Sequence, residues 1–167
     1  MPSLRKRAPK RSPAAHPQDA AAAERAAVAL LARRDFACGE LGAKLRERGF
    51  DATVVQELIE GLGTRRLLND ERYAGNFVQY QSARGQGPVR IRRDLKAVGV
   101  DAALVDAALG AVADWAALAR EVRRRRFGPK PPDEWRDKGR QARFLQYRGF
   151  SNDHIRTALG PDFELDS

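Results

Sequence analysis

The chain of 167 residues is poor in the residue types that most catalytic and metal-binding sites require. Cys38 is its single cysteine, which excludes an internal disulfide and points to a reducing, cytoplasmic setting. The two histidines, His16 and His154, stand far apart with no thiol or carboxylate cluster beside them, so zinc-ligand spacings are missing. No run is apolar enough for a signal peptide or a membrane span, and no membrane association is expected. Convincing two-residue alternation is absent too, which argues against strands. Gly85-Gln86-Gly87-Pro88 lacks the trailing Gly-Lys-Ser/Thr of a phosphate-cradling loop. Asp94-Leu95-Lys96 and Asp137-Lys138 come nearest to nuclease carboxylates and lysines, but both fall inside helical patterns without partner acids. A Ser or Cys nucleophile with a positioned histidine cannot be assembled either. The expectation is a binding protein with no catalytic residues, no metal and no cofactor.

What the chain does contain is a repeat with a constant fifty-residue step. Leu45, Leu95 and Leu145 are each followed four residues later by Gly49, Gly99 and Gly149, then by Phe50, Val100 and Phe150, then by Asp51, Asp101 and Ser151. The match continues through Val55, Val105 and Ile155, and through Ile59, Leu109 and Leu159. Glycine after an apolar-periodic helix takes the left-handed conformation that ends it, and the apolar residue behind it packs over the last turn. Asp or Ser then accepts hydrogen bonds from the first free N–H groups of a new helix. Each copy therefore reads as helix, tight turn, helix, and units that cannot bury their apolar faces alone must stack.

With one further helix before each such pair, the pattern predicts an all-α fold of nine helices in three tandem three-helix units. The units are expected at residues 19–63, 64–113 and 114–160, flanked by a disordered basic, Pro-rich arm at 1–18 and an acidic tail at 161–167. The first helix is expected from Asp19 or Ala20 to about Arg34, and the second from Cys38–Glu40 to Arg48. The third runs from Asp51 to Leu62. Asn69 or Asp70 caps the fourth, where Tyr73, Phe77 and Tyr80 mark one face, and Pro88 suits the first turn of the fifth. A sixth runs from Asp101 to about Val112. The seventh carries the stripe Trp115, Leu118, Ala119 and Val122, Asp133 is placed to cap the eighth, and the ninth follows Ser151.

The net charge of +9 resolves into +5 on residues 1–18, −3 on residues 161–167 and +7 between them, so a polyanion or a complex containing one is the expected partner. A helix-turn-helix reader would place the helix after each turn in the major groove. Those helices have the wrong sign: residues 51–62 and 101–112 contain no Lys or Arg, and only the third copy offers Arg156 beside His154. Positive charge collects instead on the helix before the turn. The first unit sets Lys44, Arg46 and Arg48 against Glu40 and Glu47, whereas the later units are more basic. The candidate binding residues are Arg84, Arg90, Arg92, Arg93 and Lys96 in the second unit, and Arg120, Arg123, Arg124, Lys138, Arg140, Arg143 and Arg148 in the third. A solvated helix face explains the run Arg123 to Arg126 about as well as binding does. Among the interleaved aromatics Tyr80, Trp115, Phe127, Trp135 and Tyr147, core packing is the expectation for most, with base stacking as the alternative. His154 stands at the position of Val54 and is expected to be partly buried and neutral.

Four segments in order, LLARRDFACGELGAKLRERGF, LLNDERYAGNFV, RGQGPVRIRRDLKAVGV and ARFLQYRGFSNDHI, make the chain resemble the RecX family, over about residues 25–160. Asp70, Glu71, Arg72, Tyr73 and Ala74 match a family motif, as do Gly87, Pro88, Ile91, Leu95 and Gly99, and Leu145, Arg148, Gly149 and Phe150. One departure is Cys38, where a serine is common; a thiol is a poorer cap. The resemblance implies three tandem units in an elongated, curved arrangement. It also implies a cytoplasmic monomer that binds RecA, and the RecA filament on single-stranded DNA within its groove. Such a protein inhibits strand exchange and ATP hydrolysis, modulating recombination, DNA repair and the SOS response, with weak direct DNA contact possible. The alternative reading is a helical DNA-binding protein that competes directly for single strands.

Overall fold

The computed structural model describes residues 16–160; the basic arm up to residue 15 and the acidic tail from 161 lie outside the described residues. Among these residues there are nine helices and no strand: α1 (Ala20–Leu31), α2 (Cys38–Glu47), α3 (Ala52–Thr64), α4 (Asp70–Ala83), α5 (Pro88–Ala97), α6 (Ala102–Gly110), α7 (Trp115–Phe127), α8 (Trp135–Arg148) and α9 (Asn152–Leu159). They form three three-helix repeats, and the chain divides into two compact units between Asn69 and Asp70. The first unit holds α1–α3, and the second holds the other two repeats.

The turn that defines the repeat is the same in all three copies. Gly49, Gly99 and Gly149 take φ of 94°, 86° and 88°, a region costly for residues with a Cβ. The N–H groups of Phe50, Val100 and Phe150 donate back to the carbonyls of Leu45, Leu95 and Leu145 at 3.3, 3.2 and 3.1 Å. Those of the three glycines donate to Arg46, Lys96 and Gln146 at 2.9, 3.0 and 2.8 Å. This double closure satisfies helix-end carbonyls that would otherwise be left without partners. The next helix starts at once: Asp51 and Asp101 accept from the N–H of Thr53 and Ala103 at 2.8 Å, and Ser151 Oγ accepts from that of His154 at 3.4 Å. Leu45, Leu95 and Leu145 are fully buried, and truncating any one to alanine has an expected cost of about 2–5 kcal/mol.

In the first unit, Ala23, Ala27, Leu30, Leu41, Leu45, Val55 and Leu62 share one core with Phe36, Phe50 and Leu68. The third repeat builds its own from Ala119, Val122, Ala142, Leu145, Phe150, Ile155 and Leu159. Two expected caps are displaced. Ala37, without a side-chain cap bond, holds the N-cap of α2, and Cys38 is its first helical residue. Glu134, not Asp133, stands at the N-cap of α8 and makes no capping bond. Helix α1 also stops at Leu31, short of Arg34, and α6 at Gly110, short of Val112.

Within the second unit the second and third repeats meet through backbone. The Gly87 N–H donates to the Arg148 carbonyl at 2.8 Å, and the Val89 N–H to the Gly149 carbonyl at 3.0 Å. A Cβ on Gly87 would lie 2.3 Å from the Gly149 carbonyl carbon and oxygen, and one on Gly149 would lie 2.3 Å from the Arg90 Cβ. No side chain fits at either position, so the loop before α5 seats directly on the turn after α8. Pro88 follows as the first residue of α5, where its missing N–H costs nothing.

Candidate partner-binding surface

The seam between α5 and α8 fixes the side chains on either side of it. Val89, Arg90 and Arg93 from α5 face Gln146, Tyr147 and Gly149 across a cleft of about 490 Å³. Tyr147 is 77% exposed and Val89 55%, a large apolar share for two neighbouring surface residues. The Arg90 guanidinium lies 5.8 Å from the centre of the Tyr147 ring, within cation–π range. Asp94 lies between the two arginines, accepting from Arg93 Nε and Nη2 at 3.1 and 2.9 Å, with Arg90 Nε 3.8 Å away on its other side.

Arg84 and Arg148 adjoin this seam. Arg148 Nη1 donates to the Arg84 carbonyl at 3.1 Å, while its guanidinium rests 5.4 Å from the Phe144 ring centre. Arg84 in turn reaches Tyr80, with Nη1 3.0 Å from the phenolic oxygen and the guanidinium 5.3 Å from the ring. Arg92 turns toward α6 and pairs with Asp106, and Lys96 is exposed.

The remaining candidates fall into other groups. Arg120 and Arg124 line a cleft of about 420 Å³ with Thr157, Leu159 and Gly160. Arg124 and Arg125 both hold Glu121, at 2.7 and 2.8 Å; the hydrogen bond from Arg125, then that from Arg124, keeps this carboxyl below the ordinary carboxylate range. Arg140 pairs with Asp137 at 3.1 Å and shares a shallow cleft with Arg143 at the start of α8, where Lys138 is half-buried.

Arg123 is a correction. It is 5% exposed, and its guanidinium donates to the carbonyls of Lys130, Gly128 and Pro129 at 2.9, 3.3 and 3.3 Å and to Gln141 Oε1 at 3.4 Å. A buried cation is tolerated when it is hydrogen-bonded, and here four bonds from Nη1 and Nη2 tie the α7–α8 loop to both helices. Arg123 lines the cleft beside Arg120 and Arg124, but only 5% of it is exposed there and its donors are already engaged within the fold. The aromatic expectation also changes: Trp115 and Phe127 are half-buried, with Trp115 Nε1 donating to the Leu109 carbonyl at 3.2 Å, but Tyr80, Trp135 and Tyr147 are exposed. Val89, central to the seam, is not among the candidates the sequence offers, and Tyr147 enters there only as one of the interleaved aromatics. The periodicity carried a signal for Tyr147, since it falls off the stripe of Ala142 and Leu145.

His154 is half-buried, and its Nδ1 accepts from the Ser151 N–H at 3.4 Å. Burial lowers its pKa below the ordinary value, against the opposing pull of the Asp153 and Asp114 carboxylates. The neutral imidazole is thus a helix-capping group. Among the described residues no three His, Cys, Asp or Glu side chains converge on a metal-sized site, and no single helix is long and apolar enough to cross a membrane.

Fold and surface together define a tandem three-helix repeat protein that exposes arginine and tyrosine around the seam between its second and third repeats. The chain belongs to the RecX family: residues 23–62, 69–109 and 114–159 match the models of the first, second and third RecX three-helix domains. It is 46% identical over 142 residues to Regulatory protein RecX of Halorhodospira halophila, covering 84% of this chain and 88% of that protein. To Regulatory protein RecX of Pseudomonas entomophila it is 40% identical over 135 residues, covering 80% and 87%. The crystal structure of RecX from Lactobacillus salivarius superposes with a TM-score of 0.72 at 24% identity, covering 84% of this chain and 94% of that one, a likeness of fold.

Proposed function

We propose that this protein binds the RecA recombinase, and above all the RecA filament on single-stranded DNA, as a stoichiometric, non-enzymatic inhibitor of strand exchange and ATP hydrolysis. The family match over all three repeats supports the partner. The observation that carries the mode of binding is the arginine and tyrosine surface around the α5–α8 seam. A monomer lying in the filament groove sets these side chains against acidic protomer surfaces and, secondarily, DNA phosphates. Bridging adjacent protomers opposes the rearrangements that strand exchange requires, and an inhibitor of this kind needs no active site.

Co-sedimentation with RecA filaments tests the reading, comparing wild type with a variant carrying Arg90→Gln, Arg92→Gln, Arg93→Gln and Lys96→Gln. Four charged contacts at about 0.5 kcal/mol each amount to roughly 2 kcal/mol, so binding and ATPase inhibition are expected to weaken at least tenfold. A folded variant that binds and inhibits like wild type overturns the basic-surface reading.

A second reading, direct competition for single-stranded DNA, draws on the exposure of Trp135 and of Tyr80 and Tyr147, the last two beside Arg84 and Arg90. Stacking platforms within a positive groove are the general means of binding single strands. A steep salt dependence on naked DNA, with no preference for a RecA-coated strand, favours it.

A further inference from the structure

The α5–α8 cleft combines features that a phosphate-tracking groove does not need. Between its two arginines stands Asp94, so Arg90, Arg93 and Asp94 together carry a single net positive charge. Its exposed lining residues are Val89, Arg93, Gln146 and Tyr147. Tyrosine and arginine around an apolar centre are the composition of protein–protein hot spots. The cleft is also preorganised, because the backbone bonds of Gly87 and Val89 to the turn after α8 fix its two walls.

The Arg93–Asp94 pair is the telling element. Arg93 donates two hydrogen bonds to one oxygen of a neighbouring carboxylate, and its side chain is 71% exposed. Exposed ion pairs of this kind contribute about 0–1 kcal/mol, so an incoming carboxylate with bidentate geometry can replace Asp94 at little cost.

We infer that this cleft is a docking site for an acidic segment of a protein partner. A carboxylate of that segment takes Arg93 from Asp94, and an apolar side chain beside it packs between Val89 and Tyr147. The proposal deepens the reading of an acidic protomer surface and rests on it. Asp94 acts as an internal placeholder that weakens binding of the wrong segment and keeps Arg93 oriented when the site is empty.

Three variants of the full chain test this on RecA filaments, with far-UV circular dichroism as the folding control. Val89→Ser with Tyr147→Ala is expected to keep the fold, because both side chains are exposed, and to weaken filament binding at least tenfold; an equal loss on naked oligo-dT would assign Tyr147 to base stacking and overturn the cleft proposal. Asp94→Asn is expected to tighten filament binding several-fold. With Tyr147 replaced by p-benzoylphenylalanine, irradiation is expected to cross-link the chain to the recombinase at an acidic segment. Wild-type affinity in the double variant, weaker binding in Asp94→Asn, or a cross-link to the DNA strand alone each overturns the cleft proposal. If wild type itself fails to bind filaments, the failure lies with the proposed function instead.

Discussion

In the first repeat, α2 leads into the same glycine turn as α5 does in the second, with Leu45 and Leu95 equally buried beneath it. The entrances to the two helices differ. Ala37 stands before α2, fully buried with its Cβ accommodated, and the Asp51 N–H after the turn donates to the Pro17 carbonyl at 2.8 Å. Fifty residues on, Gly87 stands before α5, and its backbone lies flat on the turn of the third repeat. Their surfaces differ accordingly. Near the start of α2, Arg34 is engaged by Glu40 at 2.6 Å and covers Phe36 at 3.7 Å, whereas the start of α5 exposes Val89 and opens onto Tyr147. The turn signature builds a repeat; Gly87, at the entrance to the middle helix of the second repeat, is what lets that repeat seat, backbone on backbone, against the third.

The sharpest way to break this difference is to exchange the two entrance residues. Gly87→Ala places a methyl group inside the Gly149 backbone, and overpacking against atoms that cannot rotate away costs about 2–3 kcal/mol. The expected fall in Tm is roughly 10–20 °C for a domain of this size, confined to the unit containing α4–α9, as hydrogen exchange can show. Ala37→Gly, the reciprocal change, costs about 1 kcal/mol at most. Equal effects of the two substitutions would remove the distinction between the entrances.

A second contrast sits within one helix. Arg123 and Arg124 are adjacent in α7, yet the first is buried with four acceptors and the second is exposed and paired to Glu121. Arg123→Ala leaves the carbonyls of the α7–α8 loop without their donor, at an expected cost of about 2 kcal/mol. For Arg124→Ala the change is expected within about 0.5 kcal/mol. Urea unfolding of the two variants checks this, and a destabilisation by Arg124→Ala as large as that by Arg123→Ala would contradict the assignment.

These contrasts also mark how far the sequence could be read. Features encoded within a few residues were legible: the three glycine turns, the Asp51, Asp101 and Ser151 caps, and Pro88 at the start of α5. Arg123 was legible in principle, since it completes the i, i+3, i+4 set of Ala119 and Val122, but four consecutive arginines read as one solvated run. Tyr80 was grouped with Tyr73 and Phe77, although the buried stripe of that helix runs through Ala74 and Val78. The meeting of Gly87 with Gly149 joins residues more than sixty positions apart, and no local pattern records it. The cleft lined by Val89 and Tyr147 depends on that meeting, so it emerges only from the folded chain.

The smallest expected effect concerns the capping turn of the third repeat, where the first repeat has a valine and the third a histidine. His154 occupies the place of Val54, and it both receives the Ser151 side-chain cap and accepts the Ser151 N–H at Nδ1. Protonation at Nδ1 removes that acceptor. Burial lowers the folded-state pKa below the ordinary value near 6.5, with the Asp153 and Asp114 carboxylates opposing the shift. Between those two values the unfolded chain binds more protons than the folded one, so stability rises with pH in this window. The contribution of His154 is therefore complete above about pH 6.5 and is lost as pH falls through that value toward the folded pKa. His154→Val, which borrows the residue of the first repeat, is expected to make the fall in Tm between about pH 7.5 and about pH 5 shallower than in wild type. Parallel curves for the two proteins would mean that the imidazole titrates alike in the folded and unfolded chains, and that its cap does not depend on the neutral form.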